Sequence, residues 1–232
     1  VIGGGLLLYF LADLGWQFAL WILAFLLVLS CLPILLFKPR QLDHKDKEPV
    51  LDQWLGFFRQ QGIGWWILLL LLYKAGDAFG TVMIKPMLVD QGVTLQDIAL
   101  MVGSAGFTAG LVGALLGGWL LPYIGRAWAM GIFACLQVVA IGAYALVPML
   151  DLSGSGLYAL IIVEHFTGGM GTAALFTLMM DKCRTGLGAT DYSIQASLQV
   201  VASVLAAVFS GFSAKALGYE GHFLLAGLIS MI

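Results

Sequence analysis

Ile63-Gly64-Trp65-Trp66-Ile67-Leu68-Leu69-Leu70-Leu71-Leu72-Tyr73-Lys74-Ala75-Gly76-Asp77-Ala78-Phe79, running on to Met87, is the stretch that decides the fold. A helix of ~25 residues covers the ~30 Å hydrocarbon layer of a bilayer, and this run is apolar except near its middle. A barrel strand would instead alternate over short segments. Lys74 and Asp77 stand close to the centre of the run, where an ionised group costs at least a few kcal/mol unless it is paired or hydrated. Their i, i+3 spacing puts them on one face and within pairing reach. Two readings follow: an ion pair that fixes helix packing, or a proton or substrate site in a polar cavity.

The rest of the chain repeats the pattern. Of 232 residues, 61% are hydrophobic and only 10% charged, against roughly 25% charged in an ordinary soluble domain. Too few charges remain to cover a water-facing surface. Eleven Lys and Arg against thirteen Asp and Glu leave a net charge of -2, which is no footprint for nucleic acid. Cys31, Cys135 and Cys183 show neither metal nor redox spacing. No zinc motif, nucleophile elbow, phosphate loop or dinucleotide fingerprint appears, so neither metal nor cofactor is expected. The fold class is an all-α membrane protein.

Six complete spans are expected, at Trp16–Phe37, Ile63–Met87, Asp97–Leu121, Ala127–Leu150, Leu157–Met180 and Tyr192–Ala214. The chain opens and closes inside apolar runs, so a cut span is expected at each end. Lys38, Arg40, Lys45, Lys47, Arg59, Arg126, Lys182 and Arg184 fall in connections on one side of the membrane, and Lys215 alone falls on the other. That asymmetry makes the basic side cytoplasmic. The one long connection, 38–62, begins charged. From Pro49 it places Val50, Leu51, Trp54, Leu55, Phe57 and Phe58 along a helical face suited to the cytoplasmic interface; a partner helix is the other reading.

Other spans also carry polar groups. Glu164-His165 precedes Thr167-Gly168-Gly169-Met170-Gly171-Thr172, and Glu164, Thr167, Gly168 and Gly171 share a face. Glycines at the midplane let other groups approach the backbone. Either Glu164 is a cavity group or it bonds a neighbouring helix; His165 projects from a different face. Asp191, Gln195, Gln199 and Ser203 recur every four residues, either to bind a polar solute or to join helices. Gly106-x-x-x-Gly110 and Gly113-x-x-x-Gly117 read as helix-packing surfaces.

Spans, a long basic cytoplasmic loop and spans again resemble the centre of a major facilitator superfamily transporter, where two six-span halves meet. That resemblance implies three segments. Residues 1–37 end the N-terminal half, with a cut fifth span and the sixth. Residues 38–62 form the linker with its interfacial helix. Residues 63–232 form the C-terminal half, its last span truncated. Gly117-Gly118-Trp119-Leu120-Leu121-Pro122-Tyr123-Ile124-Gly125-Arg126 resembles the family's conformational loop motif, keeping Gly117, Gly118, Gly125 and Arg126 but lacking its acid. Tyr73 to Phe79, Glu164 to Thr172, and Ala189-Thr190 with Tyr192 to Leu198 resemble the seventh, tenth and eleventh spans of the AmpG muropeptide permeases. Asp181, Asp191 and Gln195 are also similar to the related FptX/RhtX siderophore permeases.

The resemblance implies a proton-driven importer of the bacterial inner membrane, with a small-molecule substrate, protons, lipid and the missing N-terminal half of the same chain as partners. The anhydromuropeptide is the expected solute, a ferric siderophore the alternative, and an integral-membrane transferase the alternative of another class. The expected substrate cavity comprises Tyr73, Lys74, Asp77, Glu164, His165, Gly168, Gln195 and Gln199. Asp77 and Glu164 are the acids placed deep inside spans. Asp77 has a cation beside it, so the expected proton carrier is Glu164.

Overall fold

The computed structural model describes residues 17–18, 20–33, 49–150 and 152–230. The expected cut span at the amino terminus, the charged stretch 38–48 and both ends of the expected span Trp16–Phe37 lie outside the described residues. Helix α1, Leu20–Pro33, is the described core of that span. Helix α2 is Val50–Phe58. Five helices long and apolar enough to cross a membrane follow: α3 (Ile63–Asp90), α4 (Leu95–Ile124), α5 (Arg126–Met149), α6 (Gly154–Asp181) and α7 (Gly188–Ile229). There is no strand among the described residues.

Local chemistry explains where these helices bend and stop. In α3, regular helix gives out after Thr81 and resumes at Ile84. Pro86 lies just beyond, and its ring and missing N–H exclude a bond to the Val82 carbonyl. Pro148 acts likewise on the Tyr144 carbonyl in α5, where Ala143–Ala145 tightens into a 3-10 turn. Thr94 caps α4, its hydroxyl oxygen accepting from the Asp97 N–H at 3.1 Å. The next turns of α4, Ala99–Gly106, are π-helical. Gly125, at φ 87°, joins α4 to α5 as a single residue in a conformation that other side chains rarely adopt. Gly218, at φ 69°, interrupts α7. Beyond it the chain reverses: His222 meets Ser210 and Ser213, and Gly76 of α3 packs on Ser230.

The two closest helix pairs are α4 with α6 and α3 with α7. The α4–α6 seam is built of backbone. A Cβ at Gly113 would collide with the Phe166 carbonyl, and one at Gly169 with the Gly110 carbonyl. Gly118, next to Gly117 but turned off the seam, faces open space. Backbone cannot swing aside, so overpacking here costs about 1–3 kcal/mol or more. Gly113→Val is therefore expected to lower the unfolding temperature of the full-length protein in detergent by several degrees, and Gly118→Val to leave it near wild type. Equal shifts for the two would remove the seam from the account.

Two apolar clusters fill the interior. One, at the α2 end, contains Phe57, Ile63, Trp66, Leu70, Phe133 and Met179. The other, at the Gly218 end, contains Phe79, Met87, Tyr144, Ile161 and Phe223. Along α3, α5 and α6 the residues between the clusters are Lys74 and Asp77, Gln137, and Glu164 with Thr167. The bundle therefore has a polar layer at mid-height, where desolvation penalties are largest.

Candidate functional site

Three helices build that layer. On α3, Lys74 Nζ donates to Asp77 Oδ2 at 2.8 Å, the contact their spacing allows. On α6, Glu164 and Thr167 lie one turn apart and are both buried. Between them α5 inserts Gln137, which is only 4% exposed. Gln137 Nε2 donates to Asp77 Oδ1 and to Glu164 Oε1, at 3.3 Å each. Its Oε1 accepts from the Thr167 hydroxyl at 2.6 Å. Two carboxylates from different helices thus share one amide, with Lys74 balancing the charge at one end.

The other end holds a correction. Consecutive helical positions diverge, so His165 was expected away from Glu164. In the structure the Glu164 side chain bends across that interval, and His165 Nδ1 lies 2.6 Å from Glu164 Oε2. The same nitrogen is 3.0 Å from the Ile161 carbonyl and aligned with it, which leaves Oε2 buried with no hydrogen-bond partner. A buried polar oxygen without a hydrogen-bond partner is costly to desolvate. The His165 ring packs on Gly106, at the end of the π-helical turns of α4.

Both ends of the row are partly exposed and its middle is buried. The Lys74 and Asp77 side chains are 21% and 24% exposed, His165 24%, and Glu164 6%. Lys74, Asp77 and His165 are partly open to the surroundings, whereas Glu164 is enclosed by its neighbours. Tyr73 sets its hydroxyl against the α6 backbone at Gly171, and Gly168 leaves space beside the Gln137 amide. These two expected cavity residues therefore adjoin the cluster.

Gln195 and Gln199 do not. Gln195 is fully buried: its oxygen accepts from the Trp66 indole at 2.7 Å, and its nitrogen donates to the Met179 carbonyl at 3.0 Å. Gln199 donates to the Met179 sulfur. Both amides are spent on joining helices, and they face protein instead of a cavity. Asp191 is likewise engaged, by the Arg184 guanidinium and backbone N–H at 2.6–2.9 Å. Arg184 also donates to the Gln53 carbonyl of α2 at 2.6 Å. Phe57 of α2 is fully buried, while Leu51, Trp54, Leu55 and Phe58 are exposed.

Arg126, whose loop lacks the family's acid, forms an ion pair with Asp181 at the end of α6. A groove of about 1010 Å³ runs beside Trp65, Leu68, Met130, Cys135 and Val138. It is apolar and touches the polar layer only through Tyr73. Among the described residues no group of three or more His, Cys, Asp or Glu is placed to hold a metal.

Gln137 is the residue that sequence reasoning missed. It is the lone amide of an otherwise apolar span, and a solitary polar side chain at mid-membrane is itself a signal for a buried partner.

The family model of the major facilitator superfamily matches residues 1–207. The chain is 31% identical to the anhydromuropeptide permease of Escherichia coli K12, over 97% of its own length and 47% of that protein's. It is 29% identical to an uncharacterized protein of Haemophilus influenzae, over 96% and 56%. It is 25% identical to the putative transporter AmpG 2 of Rickettsia prowazekii, over 98% and 57%. The chain spans about half the length of the curated relatives it matches.

Proposed function

Because the chain belongs to the major facilitator superfamily, we propose that residues 63–232 supply the C-terminal half of a proton-coupled importer whose solute is an anhydromuropeptide. Residues 1–37 then end the other half, and 38–62 link the two on the cytoplasmic side of a bacterial inner membrane. The observation that carries the reading is the polar row Lys74–Asp77–Gln137–Glu164–His165 at mid-height of the bundle. Ionisable groups inside a membrane mark substrate and proton pathways. Alternating access needs such a site near the midplane.

The row divides the work. Lys74 and Asp77 are the solute end, with a cation suited to a carboxylate of the solute and an anion suited to its amide N–H groups. Glu164 with His165 is the proton end. With His165 neutral, the row holds Lys74⁺, Asp77⁻ and Glu164⁻, one charge short of balance. One proton, taken by the Glu164–His165 pair, restores neutrality. Asp181, Asp191 and Gln195, the residues of the siderophore resemblance, are held by Arg126, Arg184 and Trp66 instead of facing the row.

Uptake by the full-length protein in cells lacking other muropeptide import tests the reading. Labelled anhydromuropeptide should accumulate, and a protonophore should abolish the accumulation. Accumulation of a labelled ferric siderophore in place of the muropeptide would overturn the solute. Accumulation that survives the protonophore would overturn the coupling.

A further inference from the structure

We propose that Gln137 is a positioning residue that ties protonation of Glu164 to the state of the Lys74–Asp77 pair by turning its amide. The inference rests on the proton reading above and goes beyond it, since that reading leaves the two ends of the row unconnected.

The geometry contains the parts of a two-position switch. With Glu164 ionised, Gln137 offers one N–H to each carboxylate, at 3.3 Å on both sides. The Thr167 hydroxyl holds the amide in this sense by donating to Oε1 at 2.6 Å. A protonated Glu164 reverses the demand on its neighbour, because its O–H now needs an acceptor. Gln137 Oε1 is the acceptor within reach once the amide rotates. Thr167 does not obstruct the rotation. Its one hydroxyl hydrogen has a second acceptor already in place, the Glu164 carbonyl at 3.0 Å. The turn removes the N–H from Asp77 Oδ1, so Asp77 is left to Lys74 alone. A proton arriving at Glu164 is thereby registered at the solute end of the row.

Few other groups can set this equilibrium. On α3 the neighbours are Tyr73, Lys74 and Asp77, and Lys85 lies within electrostatic reach of His165. On α5, Tyr144 lies within electrostatic reach of Glu164. On α6 there is His165. From α4 the His165 ring meets Gly106, and the side-chain bonds of α7 to other helices run to Trp66, Met179, Phe79 and Asp90 and not to the row. Gln137 is the side chain that bonds both carboxylates.

The test uses the full-length protein and the variant Gln137→Met, which keeps length and apolarity and removes every hydrogen bond of the amide. Glu164→Gln is the reference. Infrared difference spectra between acid and alkaline buffer should show a protonated-carboxyl band that Glu164→Gln removes. In Gln137→Met that band should remain and move to higher frequency, because its partner is gone. The steady-state accumulation ratio of labelled anhydromuropeptide should fall about tenfold, inside the 5–150-fold range of coupled sites. Exchange of the same solute across vesicles without a gradient should fall by less than accumulation does, as a coupling defect requires. A band unmoved in Gln137→Met overturns the link and leaves the proton reading standing. Exchange and accumulation falling equally would make Gln137 merely structural and also overturn it. If no band is lost in Glu164→Gln, the proton reading fails and the link falls with it. Where Gln137→Met reaches the membrane poorly, Gln137→Asn gives the same infrared comparison, since its shorter amide cannot span both carboxylates.

Discussion

Glu164→Gln in the full-length protein is expected to keep solute exchange and to lose accumulation. Moving one elementary charge across 100 mV is worth about 2.3 kcal/mol, which supports an accumulation of about fifty-fold. A carrier that cannot take up the proton has no access to that energy, so the ratio is expected to collapse to about one. Gln preserves the shape at Glu164 and accepts from Gln137 as the carboxylate oxygen does at 3.3 Å. Exchange without a gradient is therefore expected to continue. The measurement is steady-state accumulation against gradient-free exchange, at matched expression. An unchanged ratio in Glu164→Gln would take the proton away from this residue.

Asp77→Asn does different damage. It leaves Lys74 with no counter-ion at mid-bundle and gives Gln137 an amide in place of a carboxylate. Breaking a fully buried pair costs about 3–5 kcal/mol; at 21% and 24% exposure the figure here falls to about 1–3 kcal/mol. Thermal unfolding of the purified full-length variant should move down by several degrees, and solute binding should weaken more than about tenfold, a further 1.4 kcal/mol or more. Lys74→Met with Asp77→Asn removes the stranded charge. The double variant should recover most of the stability and none of the binding. If Asp77→Asn matches wild type in both respects, the pair neither organises the site nor meets the solute.

Hydropathy was enough to read five long helices, because a bilayer requires long uninterrupted apolar runs. The Lys74–Asp77 pair was legible for a local reason: i, i+3 contact on a helix needs no knowledge of neighbours. The glycine pairs of α4 were legible as a packing face for the same reason. What escaped was every contact between helices. Gln137 sits far along the chain from both acids it bonds, and only the packing of α5 against α3 and α6 brings them together. The stripe of Gln195 and Gln199 was visible, but whether it faced solute or protein depended on Trp66 and Met179. The contact of His165 with Glu164 escaped because helical periodicity places Cβ atoms and says nothing of where a long carboxylate bends. Arg126 appeared to lack an acid because Asp181 belongs to another helix.

The contact between α2 and the α6–α7 loop has a consequence for the order of synthesis. The Arg184 guanidinium reaches the Gln53 carbonyl across 131 positions of sequence. A ribosome adds about 5–20 residues per second, so α2 waits about 7–26 s before its clamp exists. Trp54 and Phe58 remain exposed even after docking, and during that interval a lipid surface is the shelter available to them. Helix α2 is therefore a late assembly step: it takes up its final position only once the α6–α7 loop has been made to hold it.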